Sequence, residues 1–61
     1  MQNHPYSVLV IDDDPNVRDI LSDLLKREQC VVRTAASGLS GIAAAHEVLP
    51  DLILLDVMMP D

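Results

Sequence analysis

Two short aliphatic runs, each stopped by aspartate, constrain this chain more than any other feature. Ser7 to Ile11 (SVLVI) runs into Asp12-Asp13-Asp14, and Leu52 to Leu55 (LILL) runs into Asp56. Continuous apolar runs of this length lack the alternation of a strand wetted on one face, and they are short for helices. They suit strands covered on both sides, as in a parallel sheet. Parallel neighbours cannot be joined by a tight hairpin and need a crossover, usually helical. The sequence between the runs supplies such connections.

Asp14 has the chemistry of an N-cap, and Pro15 that of a first helical residue. Val17, Ile20, Leu21, Leu24 and Leu25 then recur at helical spacing along one face. Arg18, Asp19, Ser22, Asp23, Lys26 and Arg27 occupy the other side, and the ordering of Asp19 and Asp23 before Lys26 and Arg27 suits the helix dipole. Cys30 to Thr34 (CVVRT) predicts a second strand, with Arg33 marking it as an edge. Ser37 can cap a second helix through Gly41, the alanines at 43–45 and His46 to Leu49, whose small residues permit close packing on a sheet. Pro50-Asp51 is a turn before the third strand, and residues 57–61 (VMMPD) leave the sheet as a loop.

The predicted order is β-α-β-α-β, behind a polar lead-in at residues 1–6. It specifies an α/β, doubly wound parallel sheet with right-handed crossovers. If the second crossover lands on the other side of strand one from the first, the strand order is 2-1-3. The carboxyl ends of strands one and three then flank a switch point, where open α/β sheets bind ligands. Asp12, Asp13 and Asp56 would meet there.

At 61 residues the chain is near the lower limit for folding without a disulfide or metal. Its one cysteine, Cys30, excludes an internal disulfide and a cysteine-built zinc site, and fits a reducing compartment. Tyr6 is the lone aromatic, so the core must be aliphatic. No run approaches the roughly 20 apolar residues of a membrane span, and residues 1–6 lack the pattern of a secretory signal. A soluble, cytoplasmic protein is expected. The net charge of −6 argues against direct nucleic-acid binding. Asp12, Asp13, Asp14 and Asp56 account for four of those charges, so the acidity is largely local.

Close carboxylates repel one another unless a cation joins them. Magnesium, a hard ion that takes carboxylate oxygens and keeps several waters, is the natural candidate. With the charge offset, Asp56 could act as a carboxylate nucleophile toward phosphorus and form an aspartyl phosphate. A lone aspartate after a strand is more often only a helix cap, and Asp14 is read that way. The combination of two strands, each ending in Asp, is what points to a site.

The segments VLVIDDDPNVRDIL (8–21), AASG (35–38) and PDLILLDVMMPD (50–61) together resemble the receiver domain of two-component response regulators. The resemblance covers nearly the whole chain and implies a flavodoxin-like fold. It assigns the acidic pair to Asp12 and Asp13 and the phosphoacceptor to Asp56. It implies Mg2+ held by Asp13, Asp56 and the backbone carbonyl of Met58, with Asp12 acting largely through water. The implied partner is a sensor histidine kinase or phosphotransfer protein, and the implied role is a phosphorylation-dependent switch rather than an enzyme with turnover.

A complete receiver has five strands and five helices, roughly twice this length. Residues 7–61 therefore read as its N-terminal half, expected to be a fragment of a longer protein. The fourth-strand Ser/Thr and fifth-strand Lys of the family have no counterpart here, and Lys26 lies on the wrong helix to substitute. The third strand is expected to present an unpaired apolar edge, through which the chain could self-associate.

Other classes remain to be weighed. A haloacid-dehalogenase-type phosphatase would use Asp12 as nucleophile in D-x-D, but Asn16 stands where Thr is usual and LILLDVMMP goes unexplained. A calcium loop opening at Asp12, Asp14 and Asn16 fails at Val17, where glycine is needed, and at Asp23, where glutamate is needed. Gly38-Leu39-Ser40-Gly41 is a weak match to an RNA-clamping G-x-x-G in so acidic a chain. His4 and His46 have no partner at metal-ligand spacing. An inactive fragment or phosphorylation-independent interaction module is the remaining alternative.

Overall fold

The computed structural model describes residues 5–56. Within them β1 (Ser7–Ile11), α1 (Pro15–Arg27), β2 (Val31–Ala35), α2 (Gly38–Glu47) and β3 (Leu52–Leu55) follow in chain order. All strands are parallel and lie in the order β2-β1-β3. This is the expected α/β arrangement, with β1 in the centre, and it matches the first three strands of a flavodoxin-like receiver fold.

The central position explains the composition of β1. Val8, Leu9 and Val10 are each at most 2% exposed, because strands cover both edges of β1 and helices cover both faces. Alternation sends Leu9 and Ile11 to one face, where they pack with Ala35 and with Ala44 and Ala45 of α2. Val10 lies on the opposite face, where it shares a cleft with Leu21 of α1. Gly41 lets α2 settle close to β1, since a Cβ there would collide with Cγ1 and Cδ1 of Ile11.

Both helices start where their caps predict. Asp14 Oδ1 accepts from the Asn16 amide at 2.9 Å, ahead of Pro15 in the first turn. Ser37 and Ser40 form a reciprocal capping box at α2, each side chain accepting from the other's amide at 3.2 Å. At the other end of α2, Arg33 from β2 donates to the Ala44 carbonyl at 2.8 Å and pairs with Glu47 at 2.8 Å. The edge residue thus satisfies a helix C-terminus, where a cation is favoured.

Several boundaries differ from the sequence expectation, each for a local reason. β2 begins at Val31, not Cys30, because Cys30 belongs to the end of α1: its amide donates to Leu25 O at 3.0 Å, while that of Gln29 donates to Lys26 O at 2.9 Å. Those two bonds make a Schellman motif with Gln29 in the left-handed region, φ 65°. Cys30 itself is half-buried. α2 stops at Glu47 instead of continuing to Leu49; Val48 is already extended, two residues before Pro50, which disfavours helix in the residue preceding it. The first turn of α1 carries no acid, since Asp19 and Asp23 fall in later turns.

The left-handed Gln29 is a residual strain, because a Cβ in that region costs about 1–2 kcal/mol. Gln29→Gly is expected to raise stability by roughly 0.5–1 kcal/mol after the added chain entropy of glycine. A urea unfolding midpoint that fails to rise would refute this reading of the cap.

Strand β3 pairs with β1 on one side only, among the described residues, and Leu52, Ile53 and Leu55 are about half exposed. No helix among the described residues is long and apolar enough to cross a membrane.

Candidate functional site

The backbone sets the positions of the acids before their side chains are considered. In β1 and β3 the register pairs Ile11 with Leu55, so the next residue of each strand is an aspartate. The ladder continues one bond further, with the Asp56 amide donating to Ile11 O at 3.1 Å. On the other side, the Asp12 amide donates to Ala35 O at 3.1 Å. At the start of β3, Asp51 locks the same register: its amide donates to Ser7 O and its Oδ2 accepts from the Ser7 amide, both at 2.7 Å.

Asp12 is 7% exposed, an unusual state for a carboxylate. One of its oxygens, Oδ1, accepts from the Asp14 amide at 2.9 Å, and its carbonyl accepts from Arg18 Nη1 at 2.7 Å. Asp13 is exposed and Asp56 half-buried. Asp12, Asp13 and Asp56 each offer a carboxylate oxygen within 4.8 Å of the others. Beside them lies a largely apolar cleft of about 340 Å³, lined by Val10, Ile11, Asp12, Leu21, Leu54, Leu55 and Asp56.

The donor set fits a small hard cation. Octahedral magnesium at about 2.1 Å from each oxygen holds neighbouring ligands about 3 Å apart and opposing ones about 4.2 Å apart. Carboxylate oxygens of Asp12, Asp13 and Asp56 within 4.8 Å of one another leave room for such an ion to be held directly by two of them and through water by the third.

The structure therefore brings together three of the four expected site positions. The fourth, Met58, lies outside the described residues, as do His4, Met59 and Pro60. Asp14 is not in the acidic group and serves as the cap of α1, which removes the second acid of the D-x-D reading. A calcium loop is likewise incompatible with a helix that begins at Pro15. His46 is exposed on α2.

Sequence reasoning missed Arg18, which it placed on the solvent face of α1. A signal was present: a cation in the first helical turn opposes the dipole and needs a compensating acceptor. Asp51, read only as a turn residue, is the second omission.

Comparison with known proteins agrees with this arrangement. Residues 8–61 match the family model described as the response regulator receiver domain. Over 57 residues the chain is 46% identical to the probable transcriptional regulatory protein TcrX of Mycobacterium tuberculosis, covering 93% of this chain and 24% of that protein. It is 43% identical over 53 residues to the DNA-binding dual master transcriptional regulator RpaA of Synechocystis, covering 87% and 22%. Protein PilG of Pseudomonas aeruginosa is 37% identical over 59 residues, covering 97% of this chain and 44% of PilG. The chain thus spans about a quarter of the length of the first two relatives. No solved structure gave a significant match. The strand order, the acidic ends of β1 and β3 and the match over residues 8–61 together identify the chain as a member of the response regulator receiver domain family.

Proposed function

We propose that this chain carries the acidic part of a phosphoacceptor site, with Asp56 as the residue that accepts the phosphoryl group. The supporting observation is the convergence of Asp12, Asp13 and Asp56 at the carboxyl ends of adjacent parallel strands. Asp13 and Asp56 would ligate the metal directly, joined by the Met58 carbonyl. Buried Asp12, with Oδ1 engaged by the Asp14 amide, would act mainly through water. A magnesium ion bound there would offset the negative charge that otherwise repels an incoming phosphoryl group.

An Asp56 oxygen then forms the new O–P bond in line with the bond that breaks. From a kinase phosphohistidine the P–N bond breaks and its electron pair stays on the imidazole; from a small acyl phosphate the P–O bond breaks and a carboxylate leaves. Residues 7–61 would serve as the N-terminal portion of the receiver, acting in a cytoplasmic phosphorelay with a sensor histidine kinase or phosphotransfer protein. Modification would shift a conformational equilibrium of the complete domain and so alter an output surface. The relatives named as transcriptional regulators make gene control one such output.

The test is to expose the full-length protein to a small acyl-phosphate donor, with and without magnesium, and to map the modified residue by mass spectrometry. The expected result is a single label on Asp56 that depends on magnesium. A label on Asp12 would favour the phosphatase-like reading instead, and labelling indifferent to magnesium would remove the metal from the mechanism.

A further inference from the structure

We infer that Arg18 is a positioning residue for the metal-side carboxylates, acting through the peptide that joins Asp12 to Asp13. This inference rests on the proposed cation site at Asp12, Asp13 and Asp56.

The geometry concentrates restraint on that peptide. Arg18 Nη1 donates to the Asp12 carbonyl at 2.7 Å, a short charge-assisted bond of the stronger class. The same residue is tied to the loop through its backbone, its amide donating to Asp14 O at 3.1 Å as the first helical bond. Upstream, the Asp12 amide is held by Ala35 O of β2. Between these anchors the Asp14 amide fixes Asp12 Oδ1 at 2.9 Å. The carbonyl that Arg18 grips and the Asp13 amide belong to one rigid peptide plane. Fixing that carbonyl therefore fixes the N–Cα bond of Asp13, the axis about which its exposed side chain turns, and so narrows the positions its carboxylate can take.

Such restraint is needed because the three carboxylates repel one another until a cation arrives. A loose β1–α1 loop would relieve that repulsion by swinging Asp13 away, and cation binding would then have to reverse the motion. Arg18 is half-buried at the base of α1, near enough to hold the loop while bonding to a carbonyl, not neutralising a carboxylate. Groups that orient metal ligands from behind typically change metal affinity by about 10- to 100-fold when removed.

A competing role predicts the opposite sign. If Arg18 acted only as a nearby positive charge, its removal would strengthen cation binding. Two substitutions separate the alternatives. Arg18→Met removes the charge and the bond; Arg18→Lys keeps the charge but loses the planar fork. Magnesium affinity is measured by isothermal titration calorimetry on the full chain, with folding of each variant checked by urea unfolding in EDTA. The positioning role predicts that both variants bind magnesium about tenfold or more weakly, under conditions where each is folded. Unchanged affinity in both, or tighter binding by Arg18→Met, overturns it. If Arg18→Met does not fold, Arg18→Lys decides alone: weaker binding supports the role and unaltered binding refutes it. Failure of the unsubstituted chain to bind magnesium would instead defeat the cation site itself, a distinct outcome.

Discussion

Asp56→Asn is expected to abolish phosphoryl transfer to the full-length protein while leaving the sheet intact. The two effects separate because Asp56 holds two roles on different atoms. Its amide closes the β1–β3 ladder on Ile11 O, and asparagine keeps that bond and nearly the same shape. Its carboxylate is the proposed nucleophile, and a neutral amide neither attacks phosphorus nor supplies an anionic metal ligand. Label from an acyl-phosphate donor should fall to the level of an untreated control, and any label on the unsubstituted protein should be released by hydroxylamine, as an acyl phosphate is. The far-UV circular dichroism should be unchanged. Persisting label on folded Asp56→Asn would show that the phosphoacceptor lies elsewhere, with Asp12 the first position to examine.

Leu9→Ala is expected to cost about 2–5 kcal/mol, the range for truncating a buried leucine. Leu9 is 1% exposed in the middle of the central strand, packed with Ile11, Ala35 and the alanines of α2. Its surroundings are mostly small or on strand backbone fixed at both edges, so they cannot collapse far into the cavity. At the usual 0.05–0.15 kcal/mol per residue, a 61-residue chain has only about 3–9 kcal/mol in total. The substitution should therefore remove most of the stability, and the chain should unfold at little or no urea. A loss below about 1 kcal/mol would mean that β1 is less tightly enclosed than its burial indicates.

Much of this fold was legible because its signals are local and mutually consistent. SVLVI and LILL mark β1 and β3 with the observed boundaries, and the spacing from Val17 to Leu25 marks α1. Asp14 and Ser37 announce both helix starts. The misplaced start of β2 has a different origin. Cys30-Val31-Val32 looks like a strand from its first residue, but the Schellman bonds at Gln29 and Cys30 claim that residue for the helix end. Nothing in Gln29 signals a left-handed conformation, which glycine or asparagine would have suggested.

The site divides along the same line. Asp12, Asp13 and Asp56 could be named because each follows an apolar strand whose end the topology brings to one place. For Arg18 the sequence signalled only a need for an acceptor, because its partner is reached by a side-chain bend back toward the Asp12 carbonyl. Helical periodicity assigns it to a face and says nothing of that bend. The clamp made by Asp51 across Ser7 is hidden for a related reason, since it joins residues 44 positions apart.

That separation bears on the order in which the molecule assembles. β1, α1 and β2 are successive in the chain and can come together through short-range contacts, whereas β3 must find β1 after the whole second crossover has been made. Closing so long a loop is entropically unfavourable and slows folding. Asp12 and Asp13 follow β1 and Asp56 follows β3, so a cation held by them as proposed would join the two sides of that long-range contact. Such an ion would favour the state in which β3 is docked on β1, by binding that state in preference to the undocked one. On the proposed reading the site would act as a latch between β1 and β3, so that occupancy by metal would also raise the stability of their pairing.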